Sequence, residues 1–294
     1  MKKILKFAFL CATIVLLASC ESSNEENVTT GSLTLELSGL EELGANFVYE
    51  GWLIVDGNPV STGTFTSVSF PQSFTVENAI LQTATKFVLS IEPAGETGTA
   101  AAAPAPTKLL AGDFSGNSAN VTSTGIVGDF SNSWGKYILA TPTDLDDTNE
   151  ASGVWFLDNS NPPEVAGLGL PTLPEGWKYE GWVVLNGTPV STGTFTDPSS
   201  ADDNAANSPF KGTSNNGPGY PGEDYLVGSA AGVDFPTDLK GATIVVSVEP
   251  YPDNSPAPFA LKPLANKVPE NAMDHTVLNL ETGPVVTLTG SVSR

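Results

Sequence analysis

Cysteine, histidine and basic side chains are scarce in this chain of 294 residues. It has two cysteines, one histidine and 12 lysines and arginines, against 33 aspartates and glutamates. A net charge of −21 repels phosphate backbones, so nucleic acid is not an expected partner. The single histidine, His275, has no thiol to act with, and a surface position is its simpler interpretation. We therefore expect a protein that is not an enzyme and needs no cofactor.

Long hydrophobic runs are also scarce, and the clearest one stands near the start of the chain. Residues 7–17 are apolar, follow three lysines, and are too short to span a bilayer permanently. Residues 17–20 (LASC) then resemble the bacterial lipobox, which implies cleavage before Cys20 and acylation of that residue. We predict a signal peptide over residues 1–19 and a lipid anchor such as palmitate on Cys20. An ordinary secretory signal with an incidental cysteine is the alternative.

Cleavage there would leave Cys20 as the only thiol, because Cys11 lies in the removed segment. This excludes disulfides and cysteine-based metal sites in the mature chain. Residues 20–31 are polar and acidic, which favours a flexible tether behind the anchor. Acidic residues next to a lipidated cysteine resemble the surface-export signals of some bacterial lipoproteins. The expected location is the outer membrane or the cell surface, with the membrane as a partner through the lipid; the periplasmic side is the alternative.

The remaining composition favours strands and turns. There are 29 glycines and 23 prolines. Residues 32–37 (SLTLEL) and 86–92 (KFVLSIE) alternate apolar with other side chains, as half-buried strands do. No stretch carries a strong helical period. The fold class is therefore predicted to be all-β.

An eighteen-residue stretch occurs twice. Residues 49–66 (YEGWLIVDGNPVSTGTFT) and 179–196 (YEGWVVLNGTPVSTGTFT) share 13 of 18 residues. The Asp-Gly and Asn-Gly pairs in them are typical of tight hairpin turns. Trp52 and Trp182 stand among apolar residues in the middle of a predicted strand, so a place in the core is their simplest interpretation.

The repeat continues beyond the hairpin. Residues 87–93 (FVLSIEP) correspond to residues 244–250 (IVVSVEP), with an offset of 157 rather than 130, so the second half carries 27 additional residues within 197–241. We predict two related antiparallel β-sandwich (Ig-like) modules, at residues 32–142 and 152–294. We favour an arrangement in which the two modules lie side by side; a single merged sandwich is the alternative.

These motifs resemble the extracytoplasmic C-terminal domain of anti-sigma-K factors of the RskA type. The residues that carry the resemblance are the two hairpins, the two strands ending in Ser-x-Glu-Pro, and the Pro/Ala-rich loops Ala100–Pro106 and Ser255–Pro258. The resemblance implies a β-sandwich on the outer side of a membrane. In such factors a transmembrane helix joins this domain to a cytoplasmic segment that holds the sigma factor. Since everything after Cys20 is expected to be exported, we expect no direct sigma-factor binding.

Acidic clusters are the candidate metal ligands. Oxygen-rich turns can hold Ca²⁺, and one such turn contains Asp144, Asp146, Asp147 and Glu150. Their spacing does not fit an EF-hand loop, so no metal is expected and a solvated turn is favoured. Weaker candidates lie at residues 202–203 and 223–224.

Aromatic and paired acidic residues are the remaining candidates. Trp177, Tyr220 and Tyr225, together with Trp134, are candidates for a surface on which a sugar or a peptide stacks. Glu92 and Glu249 occupy matching places in the two halves, and paired carboxylates can hydrolyse glycosides. A structural role at a strand end, accepting backbone N–H groups, is favoured for both.

The sequence thus predicts a lipid-anchored, extracytoplasmic protein with a binding or sensing role in the cell envelope. Its ligand is expected to be a protein or a glycan that the sequence does not identify. The alternative is a cell-surface carbohydrate-binding lipoprotein that uses the aromatic residues of the insertion.

Overall fold

A computed structural model of the protein describes residues 28–252 and 255–294. Almost all regular structure in them is antiparallel β, and the helical elements are limited to α1 (Asn78–Thr83) and two short 3₁₀ helices, Ala100–Ala102 and Glu150–Ser152. The prediction of an all-β protein with two antiparallel modules is confirmed. Within the described residues, no helix has the length and apolar character needed to cross a bilayer.

The first module is one eight-stranded sheet. Its strands, in spatial order, are β3 (Asn58–Phe65), β2 (Phe47–Val55), β5 (Lys86–Pro93), β6 (Lys108–Ser115), β7 (Ser118–Thr122), β21 (Thr289–Ser293), β1 (Thr30–Ser38) and β4 (Gln72–Glu77). The end strands β3 and β4 approach each other, and Phe65 of β3 lies 5.6 Å from Phe74 of β4 between ring centroids. The sheet therefore curls almost into a barrel around its apolar face.

The second module repeats this order. Its main path runs β14 (Thr188–Phe195), β13 (Trp177–Leu185), β18 (Thr243–Pro250), β19 (Lys262–Lys267), β20 (Leu278–Val285), β8 (Trp134–Leu139), β9 (Gly153–Trp155) and β15 (Gly222–Asp224). Short strands complete it: β10 (Leu157–Asp158) pairs with β11 (Val165–Ala166), β12 (Leu168–Gly169) with β8, and β16 (Ser229–Ala230) with β17 (Val233–Asp234).

The repeated hairpin forms as its sequence predicts. Asp56 and Gly57 both have positive φ, 49° and 80°, and Asn186 and Gly187 match them at 50° and 79°. Positive φ at both central residues is the geometry of a type I′ turn, whose twist suits a two-residue hairpin. Both copies also contain a register shift beside the tryptophan, at Gly51/Trp52 and Gly181/Trp182. The two hairpins are thus the same structural element used twice.

The two modules exchange one strand each. β8 follows β7 in the chain but lies in the second sheet, between β20 and β9. β21 follows β20 but lies in the first sheet, between β7 and β1. The registers match as well, since Asn120 faces Ser291 in one module and Asn279 faces Lys136 in the other. The predicted boundaries at 32–142 and 152–294 are therefore wrong for these two strands, because each completes the other half's sheet.

The two crossing segments meet in the interior. The backbone N–H of Ser123 donates to the carbonyl of Leu288 at 3.0 Å, and the N–H of Leu288 donates to Ser123 Oγ at 2.9 Å. Ser123 is fully buried. Arg294, just beyond β21, contacts the first module by donating to the carbonyls of Ala84 at 2.6 Å and Gly116 at 3.1 Å. Hydrogen bonds therefore hold the exchanged strand at both of its ends.

A single hydrophobic cluster runs through both modules. It includes Leu35 and Tyr49 of the first sheet, Tyr179 and Val246 of the second, and residues between them. Phe130, in the segment that leads into β8, packs edge-on against Tyr179 with 6.4 Å between ring centroids. The modules are related but not independent, since they share strands and a core.

We expect Ser123→Ala to lower the free energy of unfolding by about 1–3 kcal/mol, because it leaves the buried N–H of Leu288 without its acceptor. Urea titration followed by tryptophan fluorescence should show one transition at a lower midpoint. Thr124→Ala is the matched control on the exposed neighbour, and it should cost less than about 0.5 kcal/mol. Equal effects from the two variants would contradict this role for Ser123.

Candidate functional site

The strand ending in Ser-x-Glu-Pro contains a buried polar relay. Trp52 Nε1 donates to Ser90 Oγ at 2.8 Å, and the Ser90 hydroxyl donates to Glu92 Oε1. The same carboxylate oxygen accepts the backbone N–H of Ala105 at 2.8 Å. The relay ties the Pro/Ala-rich loop to the repeated hairpin, so Glu92 fixes the position of that loop.

The second half repeats the relay atom for atom. Trp182 Nε1 donates to Ser247 Oγ at 2.8 Å, Ser247 donates to Glu249 Oε1, and that oxygen accepts the N–H of Phe259 at 2.9 Å. Glu92 and Glu249 thus accept backbone N–H groups, the structural role that the sequence favours. The two tryptophans are buried, as predicted.

The two loops that these relays hold face each other across a cleft. The cleft has a volume of about 720 Å³, within the range of small-molecule sites. Its apolar lining comes from both modules and includes Phe47, Ile91, Pro104, Pro252 and Phe259. Tyr251 lies at its edge, about half exposed, and donates its backbone N–H to the carbonyl of Gly176 at 2.8 Å. This cleft is the candidate ligand site.

The charge of the cleft lining is of one sign. Glu41, Glu42, Glu92 and Glu96 line it, and none of its lining residues within 28–252 and 255–294 is basic. Glu92 is only 2% exposed, and its Oε2 atom finds no hydrogen-bond partner among the described residues. Burial raises the pKa of Glu92 above its ordinary value, against the hydrogen bond from Ser90 that lowers it. The cleft thus combines apolar walls with an incompletely satisfied carboxylate.

The aromatic residues predicted to stack on a ligand do not form a surface together. Tyr225 is fully buried, packs on Phe210 and Phe235, and donates its hydroxyl to the carbonyl of Ser191 at 3.2 Å. Trp177 is buried against Phe259. The prediction of ligand contact is wrong for Tyr225 and Trp177, because their apolar rings complete the core of the second module. Tyr220 is half-buried and donates its hydroxyl to the carbonyl of Glu164 at 2.9 Å.

The insertion at 197–241 packs onto the second module. It supplies β15, which occupies the place that β4 has in the first module. Asp224 of β15 accepts the indole N–H of Trp155 at 2.7 Å and the backbone N–H of Thr143 at 2.8 Å. The additional residues therefore complete the second sheet, and the candidate site lies elsewhere.

The acidic turn uses its carboxylates internally. Asp146 accepts the N–H of Thr148 at 2.9 Å, and Asp144 accepts the side-chain amide of Asn149 at 2.9 Å. Glu150 accepts the N–H of Thr141 at 2.8 Å and lies 3.2 Å from His275 Nε2. Asp147 is exposed. Within the described part of the chain, no three acidic, histidine or cysteine side chains are grouped to hold a metal ion.

Three carboxyl groups of the insertion are buried together. Desolvation raises the pKa of Asp202 to about 6, of Glu223 to about 7 and of Asp224 to about 6. Each also accepts hydrogen bonds, such as that from the N–H of Gly222 to Asp202 at 3.2 Å. The sequence marks these residues only as weak metal candidates, because no local pattern shows that their carboxyl groups are buried.

The predicted lipidation site, Cys20, lies outside the described residues, as does the signal peptide at 1–19. It stays a prediction.

The fold and the cleft define a two-module, all-β protein with a candidate binding site where the Pro/Ala-rich loops meet. Residues 25–109 match the family model of the anti-sigma-K factor RskA C-terminal domain. The match covers the first hairpin, the relay of Glu92 and one of the two cleft loops. Searches of the curated proteins and of the solved structures found no match for this chain.

We expect Glu223→Gln to gain stability relative to the wild type as the pH rises. Burial raises the pKa of Glu223 to about 7 in the folded protein, whereas the pKa in the unfolded chain is about 4. The stability that this group contributes is fully present below about pH 4 and is lost as the pH rises through about 7, because the unfolded chain releases the proton first. A glutamine does not titrate, so the variant undergoes no such loss. Between pH 5 and pH 8, the difference in unfolding free energy between the variant and the wild type should shift in favour of the variant by up to about 3 kcal/mol. Denaturant titrations across this range measure it.

Glu281→Gln, at an exposed position of β20, is the control for the change of charge. Its stability should follow the wild type in parallel across the pH range. A Glu223→Gln profile that is also parallel to the wild type would contradict the buried, proton-binding role of Glu223.

Proposed function

We propose that this chain is a lipid-anchored, non-enzymatic protein of the cell envelope that binds or senses a ligand in the cleft between its two modules. The observation that carries the proposal is the cleft itself, an apolar cavity of about 720 Å³ between the two Pro/Ala-rich loops. The family match over residues 25–109 supports an extracytoplasmic setting. In that setting the protein acts outside the cytoplasm, so it makes no direct contact with a sigma factor.

The polar relays support a binding role over a catalytic one. Oε1 of Glu92 and Oε1 of Glu249 each accept a serine hydroxyl and a backbone N–H, so both groups are engaged in holding loops. His275 lies beside Glu150 at the end of β8, and it is not among the residues that line the cleft. Among the described residues, the cleft thus offers shape and charge to a ligand and no assembled acid–base pair.

The shared strands support a sensing role. Cleft loops belong to both modules, and the modules are joined by the crossing segments at Ser123 and Leu288. A ligand that contacts both loops shifts their relative position only to the extent that it binds one position more tightly than another. Binding can therefore be coupled to the relative position of the two loops without any further device.

Cells that express the full chain should incorporate radioactive palmitate into it, and Cys20→Ser should abolish the label. The physical reason is that acylation requires the thiol and the new amino group of the residue after the cleavage site. Detergent extraction of the protein from membranes, compared between cells that express the wild type and cells that express Cys20→Ser, gives a second readout. An unlabelled wild-type protein, or label that survives in Cys20→Ser, would contradict the anchor.

The cleft should bind a neutral apolar dye such as Nile red, with a rise in its fluorescence, in the mature protein carrying Cys20→Ser. Ala103→Trp fills the cleft from its lining and should weaken dye binding at least tenfold. Ala102→Trp, on the exposed neighbour that does not line the cleft, is the matched control. Equal binding by the two variants would show that the dye binds elsewhere and would contradict the cleft as the ligand site.

A further inference from the structure

The carboxylates that line the cleft differ in whether a cation balances them. Of its four carboxylates, Glu41 is paired with Lys262, with 3.1 Å between Oε1 and Nζ. Among residues 28–252 and 255–294, no lysine or arginine forms an ion pair with Glu42, Glu92 or Glu96. Lys178 lies 4.0 Å from the ring centre of Tyr251, but its ammonium is paired with Asp203 at 2.7 Å. The cleft therefore retains negative charge that no ion pair among the described residues balances.

Glu92 is the cleft carboxylate that, among the described residues, has a free hydrogen-bonding position at a defined atom. Its Oε1 atom is fully used by Ser90 and Ala105, whereas Oε2 is buried without a hydrogen-bond donor in the described chain. A buried carboxylate oxygen left without a donor costs free energy comparable to its lost hydration. A ligand that brings a charged N–H donor to Glu92 recovers that free energy, and a ligand without a donor does not.

We propose that the cleft takes an apolar molecule that carries a protonated amine, with the apolar part against the proline and aromatic walls and the ammonium group toward Glu92. This assignment rests on the proposed function, because it names the ligand class of the same cleft. Glu42 and Glu96, which are at least partly exposed on the lining, raise the local concentration of the cation. An alcohol of equal apolar area can donate a hydrogen bond to Glu92 but brings no positive charge, and a carboxylate brings a charge of the wrong sign.

The test uses three probes that share an eight-carbon chain: octylamine, octanol and octanoate. Binding to the mature protein with Cys20→Ser is measured by calorimetric titration at pH 7 and low salt. The amine should bind about 10- to 100-fold more tightly than octanol, which is the range of one charge-assisted hydrogen bond, and octanoate should bind most weakly. Added salt should reduce the preference for the amine.

Glu92→Gln should remove most of the amine preference while octanol binding changes less than about threefold. Because this variant alters a buried relay, a second variant with only surface changes accompanies it. Glu42→Gln with Glu96→Gln should weaken amine binding roughly twofold to tenfold. Glu164→Gln with Glu281→Gln makes the same change of net charge at exposed positions away from the cleft lining and should leave amine binding as it is.

The outcomes separate the inference from the function beneath it. Suppose that octylamine and octanol bind with equal affinity and that Ala103→Trp abolishes the binding of both. In that case the cleft is a ligand site, but the assignment of an amine is wrong. If none of the three probes binds while Nile red still does, the assignment alone is wrong; if Nile red does not bind either, the proposed function fails as well. If the control pair weakens amine binding as much as Glu42→Gln with Glu96→Gln does, the preference reflects the overall charge of the protein and the assignment is again overturned.

Discussion

The pair of hydrogen bonds between Ser123 and Leu288 marks the constraint on which the rest of the structure depends. At this point the chain crosses from the first sheet to the second and back again. β8 and β21 then complete sheets to which their sequence neighbours do not belong. The two modules are consequently held in one arrangement, and the loops after β5 and β18 are brought to face each other. The cleft lies between loops of the two sheets that the exchanged strands join.

The repeated hairpin could be predicted closely from sequence because its determinants are local. The Asp-Gly and Asn-Gly turns require positive φ, and alternation assigns Tyr49 and Tyr179 to the core face, where each donates its hydroxyl to the carbonyl of a preceding loop, at Glu41 and Pro171. The role of Glu92 and Glu249 as acceptors at a strand end also follows from their position before proline. Features set by residues near in sequence were predictable.

The strand exchange and the burial of the insertion could not be predicted in this way. β8 and β21 have matching registers, so either strand fits the alternation of either sheet, and no local pattern states which one it joins. Tyr225 was predicted to contact a ligand, since an aromatic residue in a polar segment looks the same whether it stacks on a sugar or fills a core. The cleft was missed because its two loops are far apart in sequence and only the exchange brings them together.

A disulfide trap tests the exchange most directly, because the sequence contains only two cysteines, Cys11 and Cys20, and the predicted signal-peptide cleavage removes Cys11. With Cys20→Ser in place, Glu36→Cys with Ser291→Cys places two cysteines at facing positions of β1 and β21, within reach of a disulfide. Asn279→Cys with Ser291→Cys is the matched pair that an unexchanged chain would bring together. Electrophoresis after mild oxidation should show an intramolecular disulfide for the first pair and none for the second. The reverse result would contradict the exchange and, with it, the arrangement that forms the cleft.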